Sequence, residues 1–76
     1  MNRVLSPKEI GDRLRKLRGI RLRTGVARET GISYSALSKY EEGKKIPNDL
    51  TKVRLANYYN VPVQRIFFDS EYDEST

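Results

Sequence analysis

Apolar positions along this chain recur at helical spacing. Ile10, Leu14 and Leu17 fall at i, i+4 and i+7, one stripe of an amphipathic helix. Ser6-Pro7-Lys8-Glu9 marks its start: Ser6 can cap, Pro7 fits the first helical position, and Glu9 can close a capping box. Leu5 and Ile10 are spaced for a hydrophobic staple across that cap. The helix is expected to end near Arg18-Gly19, with Asp12, Arg13, Arg15 and Lys16 on its other face. A short second helix is predicted from Arg23 or Thr24 to Thr30, with Val26 and Ala27 inward and Gly31 as its left-handed stop. Ser33 caps a third, with Leu37 and Tyr40 inward, ending at Gly43. Pro47-Asn48-Asp49 opens a fourth, whose core face is expected to be Leu50, Val53, Ala56 and Tyr59, with Leu55. Asn60 can end it, and Pro62 begins a short fifth segment with Val63, Ile66 and Phe67 inward. No segment alternates with period two over a strand length, and hairpin turns such as Asn-Gly are missing. The pattern predicts an all-α fold, a compact bundle of four to five short helices.

Length and composition narrow the chemistry. At 76 residues the chain is one small domain, and such a domain buries only about 60% of its unfolded surface, so a partner or a second copy would help it. It has no Cys and no His, which removes disulfides, the usual zinc and haem sites, and Ser–His or Cys–His nucleophiles. The longest apolar run, Ile66-Phe67-Phe68, is far short of the roughly 20 residues of a membrane span, and the N-terminus lacks a secretory apolar region. A cytoplasmic protein with no membrane partner is therefore expected. Glu41 and Glu42 are neighbours on a helix and cannot converge on one substrate, and no glycine-rich phosphate loop is present. We accordingly expect no enzyme, no cofactor and no small-molecule ligand.

Charge changes the picture more. Residues 69–76 carry four acids and no base, so residues 1–68 hold 15 bases against 6 acids, a net +9. Between Arg3 and Arg28 there are nine bases and two acids. Such a field attracts a polyanion, although a solvated helix face carries the same signature. The chain is thus divided into a basic domain, 1–68, and an acidic tail, 69–76, whose composition predicts disorder.

The centre of the chain has the spacing of two short helices crossing at a glycine turn, which lets the second helix protrude. Ala27 and Gly31 are the small residues at the crossing; Val26, Ile32, Leu37 and Tyr40 are the apolar flanks. With Val26-Ala27, Gly31-Ile32-Ser33 and the run Leu37-Ser38-Lys39-Tyr40-Glu41-Glu42-Gly43-Lys44-Lys45-Ile46-Pro47, the chain resembles the XRE/Cro-type regulators, the lambda-repressor-like DNA-binding domains. The resemblance runs from about Ile10 to Phe67. It implies that the segment 33–42 is a recognition helix reading base edges of double-stranded DNA through Tyr34, Ser35 and Lys39, with Ser38 flanking. Each is chemically apt: Ser35 donates or accepts to any base, Lys39 suits guanine O6/N7, and Tyr34 can meet a thymine methyl or a phosphate. Ser33 is implied as both cap and phosphate donor. Lys44 and Lys45 stand where family members touch the backbone, or are simply solvated. Arg18 and Glu41 match a structural pair, and Arg18 could also reach a phosphate.

Four departures stand out. The link Gly19-Ile20-Arg21-Leu22-Arg23 is about two residues shorter than usual in the family. The glutamine that normally opens the second helix on a phosphate is replaced by Arg23 or Thr24, and Gly25 inside that helix costs roughly 1 kcal/mol relative to Ala. The recognition-helix glutamines are missing too. A homodimer is expected, since one such helix reads few base pairs. Phe67 is assigned to the core and Phe68, with Tyr58 nearby, to the dimer contact; the alternative is that both phenylalanines pack inside. The resulting reading is a transcriptional regulator, by expectation a repressor. The alternative is a protein-interaction or antitoxin-like module that retains the fold.

Overall fold

The computed structural model describes residues 5–68, so the first four residues and the acidic segment 69–76 lie outside the description. Among the described residues there are five helices: α1 (Pro7–Arg18), α2 (Arg23–Thr30), α3 (Tyr34–Glu41), α4 (Asp49–Tyr59) and α5 (Val63–Phe67). The fold is all-α. None of these helices is long and apolar enough to cross a membrane.

Local signals set the helix ends. The Ser6 hydroxyl accepts from the Glu9 N–H at 3.2 Å, and the Ser6 N–H donates to the Glu9 carboxylate at 2.9 Å, completing the capping box. Leu5 and Ile10 are both buried at this end, as a staple requires. α2 forms without a side-chain cap and runs unbroken through Gly25 to Gly31, whose φ of 77° is the left-handed stop. Ser33 and Asn48 cap α3 and α4 through the Ala36 and Thr51 N–H groups. α3 ends at Glu41, with Glu42 as its C-cap, just short of Gly43.

The core gathers Ile10, Leu14, Val26, Leu37, Leu55, Ile66 and Phe67, all at most 1% exposed. Two expected members are not in it: Leu50 and Val53 are 64% and 45% exposed. The inward stripe of α4 is instead Lys52, Leu55, Ala56 and Tyr59. Lys52 lays its stem inward and its ammonium 5.6 Å from the Phe67 ring centroid, taking the place that the apolar pattern assigned to Val53. Val61, Val63 and Phe68 are partly buried against the core, so the apolar surplus near the C-terminal end is largely used within the chain itself.

Two features bring α1 against its neighbours. At Gly11 the backbone of α3 comes so close that a Cβ would stand 2.5 Å from the Glu41 carbonyl oxygen and 2.9 Å from that of Tyr40. Arg13 reaches the other way. Its Nη1 donates to the carbonyls of Arg65 at 2.7 Å and Phe68 at 3.0 Å, satisfying acceptors at the end of α5. The Leu5 N–H donates to the Phe67 carbonyl at 3.3 Å and closes the same end of the molecule.

Candidate nucleic-acid interface

α2, the turn 31–33 and α3 form the unit that the sequence marked. Around α3 the side chains sort into three stripes. Leu37 and Tyr40 point into the core, while Ser35, Lys39 and Glu42 face solvent. Tyr34, Ser38 and Glu41, at i, i+4 and i+7, face the start of α2. Tyr34 keeps 49% of its surface exposed, Ser38 is half-buried and Glu41 is wholly buried.

A charge with no access to water must be matched by partners. Glu41 is matched twice. Arg18 Nε donates to Oε2 at 2.9 Å and to Oε1 at 3.1 Å, while Arg23 Nε donates to Oε1 at 3.0 Å. The Arg18 pair is the one the resemblance implied; the Arg23 pair was not foreseen. Arg18 Nη1 also donates to the Arg21 carbonyl at 2.9 Å, tying down the shortened link between α1 and α2. Arg15 donates to the Glu41 main-chain carbonyl and to the Asp12 carboxylate. Burial works against the Arg23 charge, but the Glu41 carboxylate outweighs it and raises the Arg23 pKa, so the guanidinium stays charged.

Around this centre stand the other candidates. Thr24, Ser33, Lys44 and Lys45 are exposed. Lys44 pairs with Glu42 at 3.2 Å, whereas Lys39 and Lys45 form no ion pair with any described residue. Arg18 and Arg23, expected at phosphates, are both occupied at Glu41 and about one-fifth exposed. Tyr58, assigned to a dimer contact, donates to the Glu29 carboxylate at 2.5 Å, which raises its pKa. The Arg21 guanidinium lies 5.9 Å from its ring centroid. Phe68, assigned to the same contact, is half-covered by its own chain. The Tyr59 hydroxyl is buried with no hydrogen-bond partner among the described residues, and burial, then the Glu41 carboxylate, push its pKa up to about 12.

Sequence reasoning overlooked Gly11, Arg15 and the second arm of Glu41. Gly11 did leave a signal: a glycine directly after Ile10, inside the helical stripe, weakens the helix and marks a close backbone approach. The arginine contacts left none, because they depend on how the helices cross.

Two short helices joined at a left-handed glycine, the second carrying an exposed polar stripe, define a helix-turn-helix domain. A family model described as Helix-turn-helix (HTH_3) matches residues 13–66, and the chain belongs to this family, as a DNA-binding regulator of the XRE type. Neither the curated proteins nor the solved structures contain a match to the chain.

Proposed function

We propose that the chain is a repressor that binds duplex DNA as a homodimer, each copy laying helix 33–42 in the major groove. The observation that carries this reading is the outward stripe of α3. Ser35 and Lys39 are exposed side by side, and Lys39 has no ion-pair partner among the described residues, beside a Tyr34 ring that is half exposed. These three residues, with Ser38 at the edge, read base edges. Thr24, Ser33, Lys44 and Lys45 hold phosphates, joined by Arg18 from its place at Glu41. Phe68 and Tyr58 lie at the dimer contact, where Phe68 still has apolar surface to bury.

Selection of bound sequences from a random duplex pool tests the proposal. The expected outcome is one enriched motif with two-fold symmetry and half-sites about 34 Å apart. A pool that stays random overturns the sequence-reading role, and an enriched single half-site overturns the dimer. Exposed Ile20 and Leu22 favour the second reading, a protein-interaction or antitoxin-like module. The salt dependence of DNA binding separates the two: a slope of log K against log salt near −5 supports the regulator, assuming about six phosphates per protomer, and no binding at low salt supports the module.

A further inference from the structure

One side chain joins the start of α2 to the face of α3 that borders the exposed stripe. Arg23 is the first residue of α2. Its guanidinium meets all three members of the Tyr34–Ser38–Glu41 stripe. Nε donates to Glu41 Oε1 at 3.0 Å, Nη1 donates to Ser38 Oγ at 3.2 Å, and the group lies 5.8 Å from the Tyr34 ring centroid. A guanidinium is planar, with its donors in a fixed fork, so anchoring one edge fixes where the others point. Glu41 is a firm anchor: it is wholly buried and is also held by Arg18 from α1.

We propose that Arg23 is a positioning residue for sequence readout, holding the Tyr34 ring and the Ser38 hydroxyl in the pose in which they meet bases. This role rests on the DNA-reading function proposed above. It differs from a phosphate contact, which needs only the positive charge. Arg23 also occupies one lone pair of Ser38: an arginine can only donate, so Ser38 Oγ accepts from it, which leaves the hydroxyl proton and one lone pair for a base edge.

The test is the Arg23→Lys variant, which keeps the charge and loses the planar fork. Affinities for the selected duplex and for a random duplex of equal length are measured across a salt series, for the wild type, R23K, Y34A and the double variant. Positioning predicts that R23K binds the random duplex within about two-fold of wild type with the same salt slope, while preference for the selected duplex falls roughly ten-fold. It also predicts that the losses of R23K and Y34A are clearly less than additive in the double variant, because part of the Arg23 effect passes through Tyr34 and the rest through Ser38. Preference that survives in R23K, losses that add in the double variant, or equal losses on both duplexes with a shallower salt slope each overturn the role. Melting curves accompany the series. If R23K does not fold, Arg23→Gln serves, since it keeps a planar donor and drops the charge: preference kept while the salt slope becomes shallower supports the role, and equal losses on both duplexes overturn it. A wild-type chain that binds all duplexes alike overturns the sequence reading and this role with it, whereas preference retained in R23K overturns the role alone.

Discussion

α3 and α4, helices of eight and eleven residues, meet the same core in opposite ways. α3 is fastened at its C-terminal end by polar groups: the Glu41 carboxylate between Arg18 and Arg23, the Glu41 carbonyl under Arg15, and the Gly11 backbone pressed against it. α4 is fastened mainly by apolar groups, along Leu55, Ala56 and Tyr59 with Lys52 beside them and one outer bond from Tyr58 to Glu29, while Leu50 and Val53 stand in solvent. Both are held at the N-terminus by a side-chain cap. The difference lies in precision. Apolar burial is non-directional and tolerates small shifts, whereas charged hydrogen bonds have set distances and angles. A helix that must present side chains to another molecule gains from the second kind of attachment.

Removing the polar anchor is the strongest way to break this contrast. Glu41→Ala leaves two arginines facing a cavity and is expected to destabilise the fold by about 3–5 kcal/mol, toward the lower end because both guanidinium groups reach water. Chemical denaturation measures it; a loss under about 1 kcal/mol would mean that α3 is held by Leu37 and Tyr40 alone. Gly11→Ala attacks the same attachment through space. The added methyl meets backbone oxygens that cannot rotate away, at an expected cost of about 1–3 kcal/mol, or several degrees in Tm.

The third change sharpens the comparison from the α4 side. Tyr59→Phe removes a buried hydroxyl with no partner among the described residues, so stability is expected to rise by about 1 kcal/mol. The same variant alters the alkaline limb. In the wild type the unfolded chain releases the Tyr59 proton from the ordinary value of 10, while the folded chain keeps it to about 12. Stability is therefore complete below pH 10 and declines as pH rises toward 12. Tyr59→Phe makes that decline shallower, as melting curves across this range would reveal; an unchanged decline removes Tyr59 as its source. The smallest effect is expected at Leu50→Ser, within about 0.5 kcal/mol, because the side chain is already in water. A cost several times larger would place Leu50 in a contact that the isolated chain does not show.

Much of this architecture was legible in the sequence where the cause was local. The Ser6–Glu9 box, the Gly31 stop and the Ser33 and Asn48 caps involve neighbours within three residues or a single backbone angle. The face of α4 was less legible. Lys52 is scored as polar, yet it shares the inward face with Leu55, Ala56 and Tyr59 and its ammonium sits near Phe67, while Val53 faces out. At the candidate interface, Arg18–Glu41 followed from the family resemblance. Arg23–Glu41 could not, because a short link between α1 and α2 brings α2 to α3 in a way no periodicity records. The direction of Arg23, toward α3 as much as toward solvent, is visible only in three dimensions.

The seam closed by Leu5, Arg13 and Phe67 has a topological consequence. The Arg13 bonds join residues more than fifty positions apart, so the described chain is nearly a ring. Closing such a loop costs entropy that grows only slowly with its length. A linker of a few residues between Phe68 and Leu5 would make that closure covalent, and the chain could then be opened at the exposed Gly19–Leu22 turn without parting any helix from its neighbours. Helix order along the chain and helix arrangement in space are, in this fold, separable properties.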